Sequence, residues 1–322
     1  TSPVTTSPII TSPVTTSPVT TSPVTTSPIG GAAVTTAAPG PLPDTYVVAE
    51  DTDLVEIATD GDRFLRVVEE FFNGDGVFRS FIRLSPDRTW SYYSEGYEDA
   101  WYGCESSAGT VGRIDVATGE LEQLARGARI ELSLDGATTA HLDSGVCVPD
   151  PEAPDLWVFT PYDRVVVTDV ASGTNTEYLT DTPPASYESP SAIDWAGVAA
   201  DGSILVLTAD GTLRRIPPGA TGAVQDHPVV LTGFTAFPME VHGEVLYAIE
   251  FGDEGSADLI ATSLTDGTTT RLASSEASMT LGVGPQGQLI ATAFAPITVE
   301  PDVGLTVVMP PSDQVFYYEV DW

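Results

Sequence analysis

The sequence predicts an all-β propeller preceded by an extended, polyproline II-like Thr/Ser/Pro stalk, and three observations predict it. From about Tyr46 onward, short β-rich runs are broken by Gly-containing turns every 8 to 12 residues, with no stretch of amphipathic helical period. Two turn phrases recur in alternation along that region. Residues 1–30 are six copies of one pentapeptide: TSPVT, TSPII, TSPVT, TSPVT, TSPVT and TSPIG.

The repeat holds no charge and no aromatic residue, so it cannot build a core. Each proline fixes its own φ and drives the preceding serine out of the α region, while Thr, Val and Ile favour extended backbone. Polyproline II is the expected conformation, with the 30 residues reaching on the order of 90 Å at about 3.1 Å each. Five residues on a threefold helix turn successive copies by about 120°, which distributes the hydroxyls over every side.

The stalk with its Gly/Ala/Pro extension is assigned to residues 1–43 and the propeller to 44–322. The first turn phrase is Val116-Ala-Thr-Gly-Glu-Leu, repeated as Val170-Ala-Ser-Gly-Thr-Asn and Leu264-Thr-Asp-Gly-Thr-Thr. The second is Leu84-Ser-Pro-Asp, repeated as Leu132-Ser-Leu-Asp-Gly, Val198-Ala-Ala-Asp-Gly and Val283-Gly-Pro-Gln-Gly. Alternation at about 45 to 50 residues is what four-stranded blades produce. Blades are expected at 78–127, 128–181, 190–231, 232–275 and 276–322, with a shorter one at 45–72. Six is the favoured count and five or seven remain open, because the run from Tyr46 to Glu50 is also able to complete the last blade and close the ring.

These repeats resemble the Ser-Pro-Asp-Gly type of propeller found in TolB-like and related families, across essentially all of residues 45–322. The resemblance implies architecture and no particular activity. Residues 1–43 are similar to mucin-type and Pro-rich cell-surface glycoproteins, which implies O-linked glycans and an extracellular or cell-surface location. The acceptors are then Thr1, Ser2, Thr5, Thr6, Ser7, Thr11, Ser12, Thr15, Thr16, Ser17, Thr20, Thr21, Ser22, Thr25, Thr26 and Ser27. The two asparagines, Asn73 and Asn175, begin no Asn-x-Ser/Thr sequon, so N-glycosylation is excluded.

All 46 acidic and 12 basic residues lie from Asp44 onward, concentrating a net charge of −34 there. Nucleic acid and acidic membrane surfaces would be repelled, while a cationic partner or a divalent ion would suit the domain. Every basic residue is arginine, which removes Schiff-base and P-loop chemistry. No apolar run reaches the length of a membrane span. The sequence opens directly on the repeat and is read as a mature chain or a fragment.

Cys104 and Cys147 lack the His/Cys spacing of a zinc site and are read as a disulfide between neighbouring blades, in keeping with an oxidising compartment. The turns Asn73-Gly-Asp75-Gly and Glu50-Asp51-Thr-Asp53 offer calcium ligands in Asn73, Asp75, Asp51 and Asp53. Neither matches a full EF-hand loop, and hairpin turn chemistry explains them without an ion, so no cofactor is assigned.

Ser85-Pro-Asp-Arg-Thr-Trp90 is similar to the Asp box of sialidases but lacks its glycine and is one residue short. It is read as a turn followed by a core Trp. The aromatic run Trp90, Tyr92, Tyr93, Tyr97, Trp101 and Tyr102 is read as inter-blade core, with its tail a candidate sugar-stacking surface. His141, His227 and His242 are scattered singly, His141 within a strand and the other two in loops. Calcium lactonases of the six-bladed type use Asn ligands, and two asparagines depart from that pattern.

The expected function is therefore non-enzymatic: a structural or adhesive surface glycoprotein that self-associates into a fibril or layer. The glycosylated stalk acts as spacer or axis, and the propeller packs or binds. A tethered propeller recognising a glycan, peptide or cationic partner is the alternative. A propeller hydrolase is the third reading, and it requires a tight carboxylate cluster with raised pKa values in the central channel.

Overall fold

The computed structural model describes residues 45–50, 53–58, 64–68, 77–97, 109–143, 147–149, 157–159, 161–184, 189–252, 255–284, 286–308 and 317–321. All of them belong to one compact unit, Ala32–Trp322. The O-glycosylation candidates, Cys104, Asp51, Asn73 and Asp75 lie outside the described residues.

Among the described residues, six sheets of three to five strands follow one another, with one two-stranded hairpin inserted. The first joins β1 (Thr45–Glu50), β2 (Asp53–Ala58) and β3 (Phe64–Val68) to the last strand of the chain, β26 (Tyr317–Asp321), in the order β26-β1-β2-β3. The second is the meander β4 (Val77–Leu84), β5 (Trp90–Tyr97), β6 (Thr110–Asp115) and β7 (Leu121–Arg126). In the third, β8 (Ala128–Leu132), β9 (Thr138–Asp143), β12 (Arg164–Asp169) and β13 (Thr174–Leu179) are interrupted by a separate hairpin, β10 (Cys147–Pro149) and β11 (Trp157–Phe159). The fourth is β14 (Ile193–Val198), β15 (Ile204–Thr208), β16 (Leu213–Ile216) and β17 (Val229–Leu231).

The fifth holds β18 (Phe237–His242), β19 (Val245–Phe251), β20 (Ala257–Ser263) and β21 (Thr269–Ser275), and takes a fifth strand, β24 (Ile297–Val299), from further along the chain. The sixth is three-stranded, with β22 (Met279–Val283) antiparallel to β23 (Leu289–Ala293) and β23 parallel to β25 (Leu305–Val307). Among the described residues, five full blades make the propeller, within the expected five to seven, and this three-stranded sheet stands in the ring beside them.

The first strands form a closed ring. β4 lies between β26 and β8, β14 lies between β8 and β18, and β22 lies between β18 and β26. Closure therefore happens in the first blade, where β26 pairs with β1 through Val47↔Asp321 and Val48↔Val320. The expected closure by residues 46–50 is met in part: they pair with the last strand of the chain, but within the first sheet and not the sixth.

Recurrent turn chemistry sets the blades. In the Ser-Pro-Asp phrase, the Ser85 hydroxyl donates to Asp87 Oδ1 at 2.7 Å, which also accepts from the Thr89 amide at 3.0 Å. Ser85 Oγ in turn accepts from the Trp90 amide at 2.9 Å. Ser133 and Asp135 repeat this set one blade later, at 2.6, 3.0 and 2.9 Å. Two short side chains thus replace the ladder bonds that a two-strand reversal leaves unmade. In the other phrase, the residue just before it does the capping: Asp115 Oδ1 accepts from the Ala117 and Thr118 amides. Gly119, at φ 73°, then supplies the left-handed step.

Each pair of neighbouring sheets shares an apolar cluster. Val47 and Leu54 meet Ile82 and Ile114. Tyr92 and Val111 meet Ile130. Leu142 and Val165 meet Ile193 and Val206. Trp195 and Leu205 meet Val241 and Leu246. Leu259 and Leu272 meet Leu281 and Leu289, and Val48 and Val55 meet Ile290 to complete the circle. Each such fully buried aliphatic side chain contributes roughly 1.5–3 kcal/mol. The ring has no end at which packing stops.

Gly197 is fixed by this packing. The Trp195 indole folds across it, so that a Cβ there would stand 2.2 Å from Trp195 Cη2 in a fully enclosed site. Gly197→Ala is expected to cost about 1–3 kcal/mol of stability through overpacking. Urea denaturation checks this, and an unchanged midpoint would show that the indole can swing away at no cost.

Candidate functional site

Four of the six inner strands send a charged residue to the central axis. Arg83 comes from β4, Glu131 from β8, Glu240 from β18 and Asp321 from β26, and all four side chains are buried. In β14 and β22 the residue before the turn phrase, which is Arg83 in β4 and Glu131 in β8, is Gly197 or Gly282. Those two strands therefore send no charge to the axis, and at Gly197 the Trp195 indole takes the space.

Arg83 grips Glu131 bidentately, with Nε 2.7 Å from Oε2 and Nη2 2.9 Å from Oε1, and Nη1 donates to the Ile82 carbonyl at 2.7 Å. Glu240 Oε1 stands 3.7 Å from the same Nε. Glu240 Oε2 accepts from the Val283 amide at 3.1 Å, while Oε1 is buried and accepts no hydrogen bond among the described residues. Asp321 accepts from the Leu84 amide through Oδ2.

Burial alone would lower the Arg83 pKa, but the fields of Glu131 and Glu240 outweigh it and hold the guanidinium charged above its ordinary value. Burial pushes the Glu131 carboxyl up, opposed by its ion pair with Arg83. Glu240 is raised well above the ordinary glutamate value by burial, with the charges of Asp321 and Glu131 adding to the push and the longer contact to Arg83 and the Val283 amide against it. One arginine does not neutralise three acids in a dry site. Glu240 has the weaker hold on Arg83, and its carboxyl is the one pushed well above the ordinary value.

The strand ends Leu84, Leu132, Val283 and Asp321 converge with Arg83 and Glu240 around a recess of about 110 Å³. That volume holds a few waters and falls short of the roughly 300–1,000 Å³ of ligand pockets. The carboxylate cluster required by the hydrolase reading is thus present, but it is tied to an arginine and opens on a space smaller than a substrate.

The opposite ends of β8, β14 and β18 frame a larger hollow. Arg129, Asp194, Phe237 and Pro238 come from these strand starts, and the turn Thr208–Gly211, the approach Gly233–Ala236 and Phe251 complete a pocket of about 560 Å³. Arg129, at φ 53°, donates through Nη1 to the Asp194 carbonyl and lies over the Phe237 ring at 5.5 Å. Burial raises the Asp194 carboxyl, with Arg129 pulling it back. Asp210 Oδ1 accepts from the Thr208 hydroxyl at 2.8 Å and the Thr212 amide at 3.0 Å. Those bonds outweigh burial and lower its pKa. Phe251 is 57% exposed at the rim.

The residues singled out from sequence fall elsewhere. Cys147 sits in β10, paired in the inserted hairpin with Phe159, and the disulfide itself lies outside the described residues. Asp53 opens β2 and is paired with Glu50 of β1, while the other three calcium candidates lie outside the described residues. Among the described residues no group of three His, Cys, Asp or Glu is placed to hold a metal ion.

Tyr92 and Tyr93 are buried between blades, and Trp90 is half-buried with Arg113 stacked 4.1 Å from its ring. Trp101 and Tyr102 lie outside the described residues. His141 is buried in β9, its pKa lowered by burial. His227 is buried rather than a loose loop residue, packing edge-on against Tyr178 at 6.1 Å, and His242 ends β18.

Neither the axial cluster nor the mouth pocket was among the residues that sequence reasoning selected. A signal for the first exists: Arg83, Glu131, Gly197 and Gly282 each stand immediately before a copy of the second turn phrase.

No protein-family model matches the chain, and no curated protein matches it. Solved structures do. A TolB-type protein of Agrobacterium tumefaciens matches at 12% identity and a TM-score of 0.48, over 86% of this chain and 85% of the other. The calcium-binding protein regucalcin of the same organism matches at 16% identity and 0.40, over 68% and 64%. Prolyl endopeptidase matches at 14% identity and 0.44, over 84% of this chain and 42% of the other. Similarity at this level transfers no activity.

Proposed function

We propose that this chain is a non-catalytic, extracellular or cell-surface structural glycoprotein. In this reading the TSPVT repeat carries O-linked glycans and serves as spacer or axis, and the propeller is the module that packs into a fibril or layer. The observation that carries the reading is the division of the sequence: an uncharged segment with three hydroxyls in each TSPVT unit, joined to a domain that bears the entire −34 charge. The axial carboxylates support the non-catalytic part. Glu131 is held bidentately by Arg83 in a pair that ties two blades together, and the cluster borders a recess too small for a sugar or peptide.

Because the chain has no lysine and its first arginine is Arg63, trypsin leaves every stalk hydroxyl in the peptide ending at Arg63. On native material this peptide is expected to weigh more than its sequence, and to return to the sequence mass after chemical removal of O-linked sugar. A peptide at the bare mass from the start would end the glycan proposal. Electron microscopy of the same material tests assembly, and isolated particles at high concentration would end the fibril proposal.

The mouth pocket favours a second reading, a tethered propeller that binds a small ligand. Its volume of about 560 Å³ lies in the range of ligand sites and it combines apolar walls with a few polar groups.

A further inference from the structure

We infer that the mouth pocket takes a small organic cation with an apolar body, of the alkylammonium or quaternary ammonium class; this rests on the second reading above. Phe234, Phe237 and Phe251 supply the aromatic surface, and Phe251 presents more than half of itself to solvent. A ring quadrupole attracts a cation within about 6 Å of its centroid, and the pocket already contains that arrangement: the Arg129 guanidinium lies 5.5 Å from the centre of Phe237. With one aromatic ring so occupied and Phe234 packed against the neighbouring apolar clusters, the exposed Phe251 is the ring left for a guest.

The carboxylates complete the site. Arg129 is engaged by the Asp194 carbonyl and by Phe237, while Asp194 and Asp210 both line the same hollow. Asp210 uses Oδ1 for its two turn bonds, and Oδ2 accepts none among the described residues. Arg129 acts on Asp194 and Arg214 on Asp210, so the negative field at the mouth is that of the whole domain, of net charge −34. That field concentrates cations at the mouth and excludes anions. An anionic sugar or phosphate would meet one arginine already spoken for, and a plain hydrocarbon would gain nothing from Asp194 and Asp210.

Choline and its uncharged isostere 3,3-dimethylbutan-1-ol are the probes, titrated into the whole chain by calorimetry or NMR. Choline is expected to saturate, at least about tenfold more tightly than the alcohol, and to weaken as added salt shortens the Debye length. Phe251→Ala, at an exposed position, is expected to weaken choline about three- to thirtyfold with an unchanged melting curve. Asp194→Asn should weaken choline and leave the alcohol unaffected. If the alcohol binds as tightly as choline, the cation assignment is overturned while the pocket remains a binding site. If neither saturates, both the assignment and the ligand-binding reading fall.

Discussion

Arg83→Met is expected to lower the unfolding free energy by about 3–5 kcal/mol near neutral pH, the usual consequence of deleting one partner of a buried ion pair. The methionine fills much the same space, so the loss is electrostatic. It leaves Glu131 without either of its two charge-assisted bonds and Glu240 beside two further acids with no cation. Urea unfolding followed by tryptophan fluorescence measures it. Acidification should shrink the deficit, because carboxyls that take up protons no longer need the arginine.

A second variant separates charge from packing: adding Glu131→Leu to Arg83→Met should recover part of the stability, since removing both partners of a buried pair costs less than removing one. A loss below about 1 kcal/mol for Arg83→Met would mean that water reaches the axis and screens the acids, as at a surface ion pair.

The position of this pair explains why so large an effect is expected. Arg83 and Glu131 join the inner strands of two successive blades, and Asp321 bonds the Leu84 amide to fasten the last strand of the chain beside β4. Closure of the ring therefore runs through the same few atoms as the buried charge. Breaking the set loosens both the contact between blades and the seam where the two ends of the propeller meet.

The blades were legible in the sequence because their turns are made locally. Ser85 with Asp87, and Ser133 with Asp135, satisfy amides within five residues of themselves, so the same letters recur wherever the same reversal does. The stretches 78–127 and 190–231 each became one sheet. What was not legible is whatever depends on strands far apart in the chain. β26 contains no turn phrase, so its pairing with β1 stood only as one of the alternatives, and β24 leaves the stretch expected for its own blade to extend the fifth sheet.

The axial cluster failed to register for the same reason. One charged residue in an apolar strand reads as a solvated side chain, and only ring closure brings Arg83, Glu131, Glu240 and Asp321 together. The mouth pocket is harder still, since Arg129, Asp194 and Phe237 are neighbours only because three inner strands begin at one end of the ring.

Glu240→Gln is expected to make the protein more stable, and by an amount that grows with pH. The native carboxyl is raised well above the ordinary value of 4.5 by burial and by Asp321 and Glu131, whereas in the unfolded chain it ionises near that ordinary value. Between the two values the folded state holds a proton that the unfolded state has released. Stability therefore falls as pH rises, by about 1.4 kcal/mol per pH unit, from near 4.5 until the native carboxyl itself ionises. Glutamine is a fixed stand-in for the protonated form: its amide oxygen can accept from the Val283 amide as Glu240 Oε2 does, at 3.1 Å. The two proteins should thus be nearly equal at pH 4 and diverge at that slope above it, in parallel urea titrations across the range. Curves that stay parallel would show Glu240 already ionised in the fold, and would move the proton to another member of the cluster.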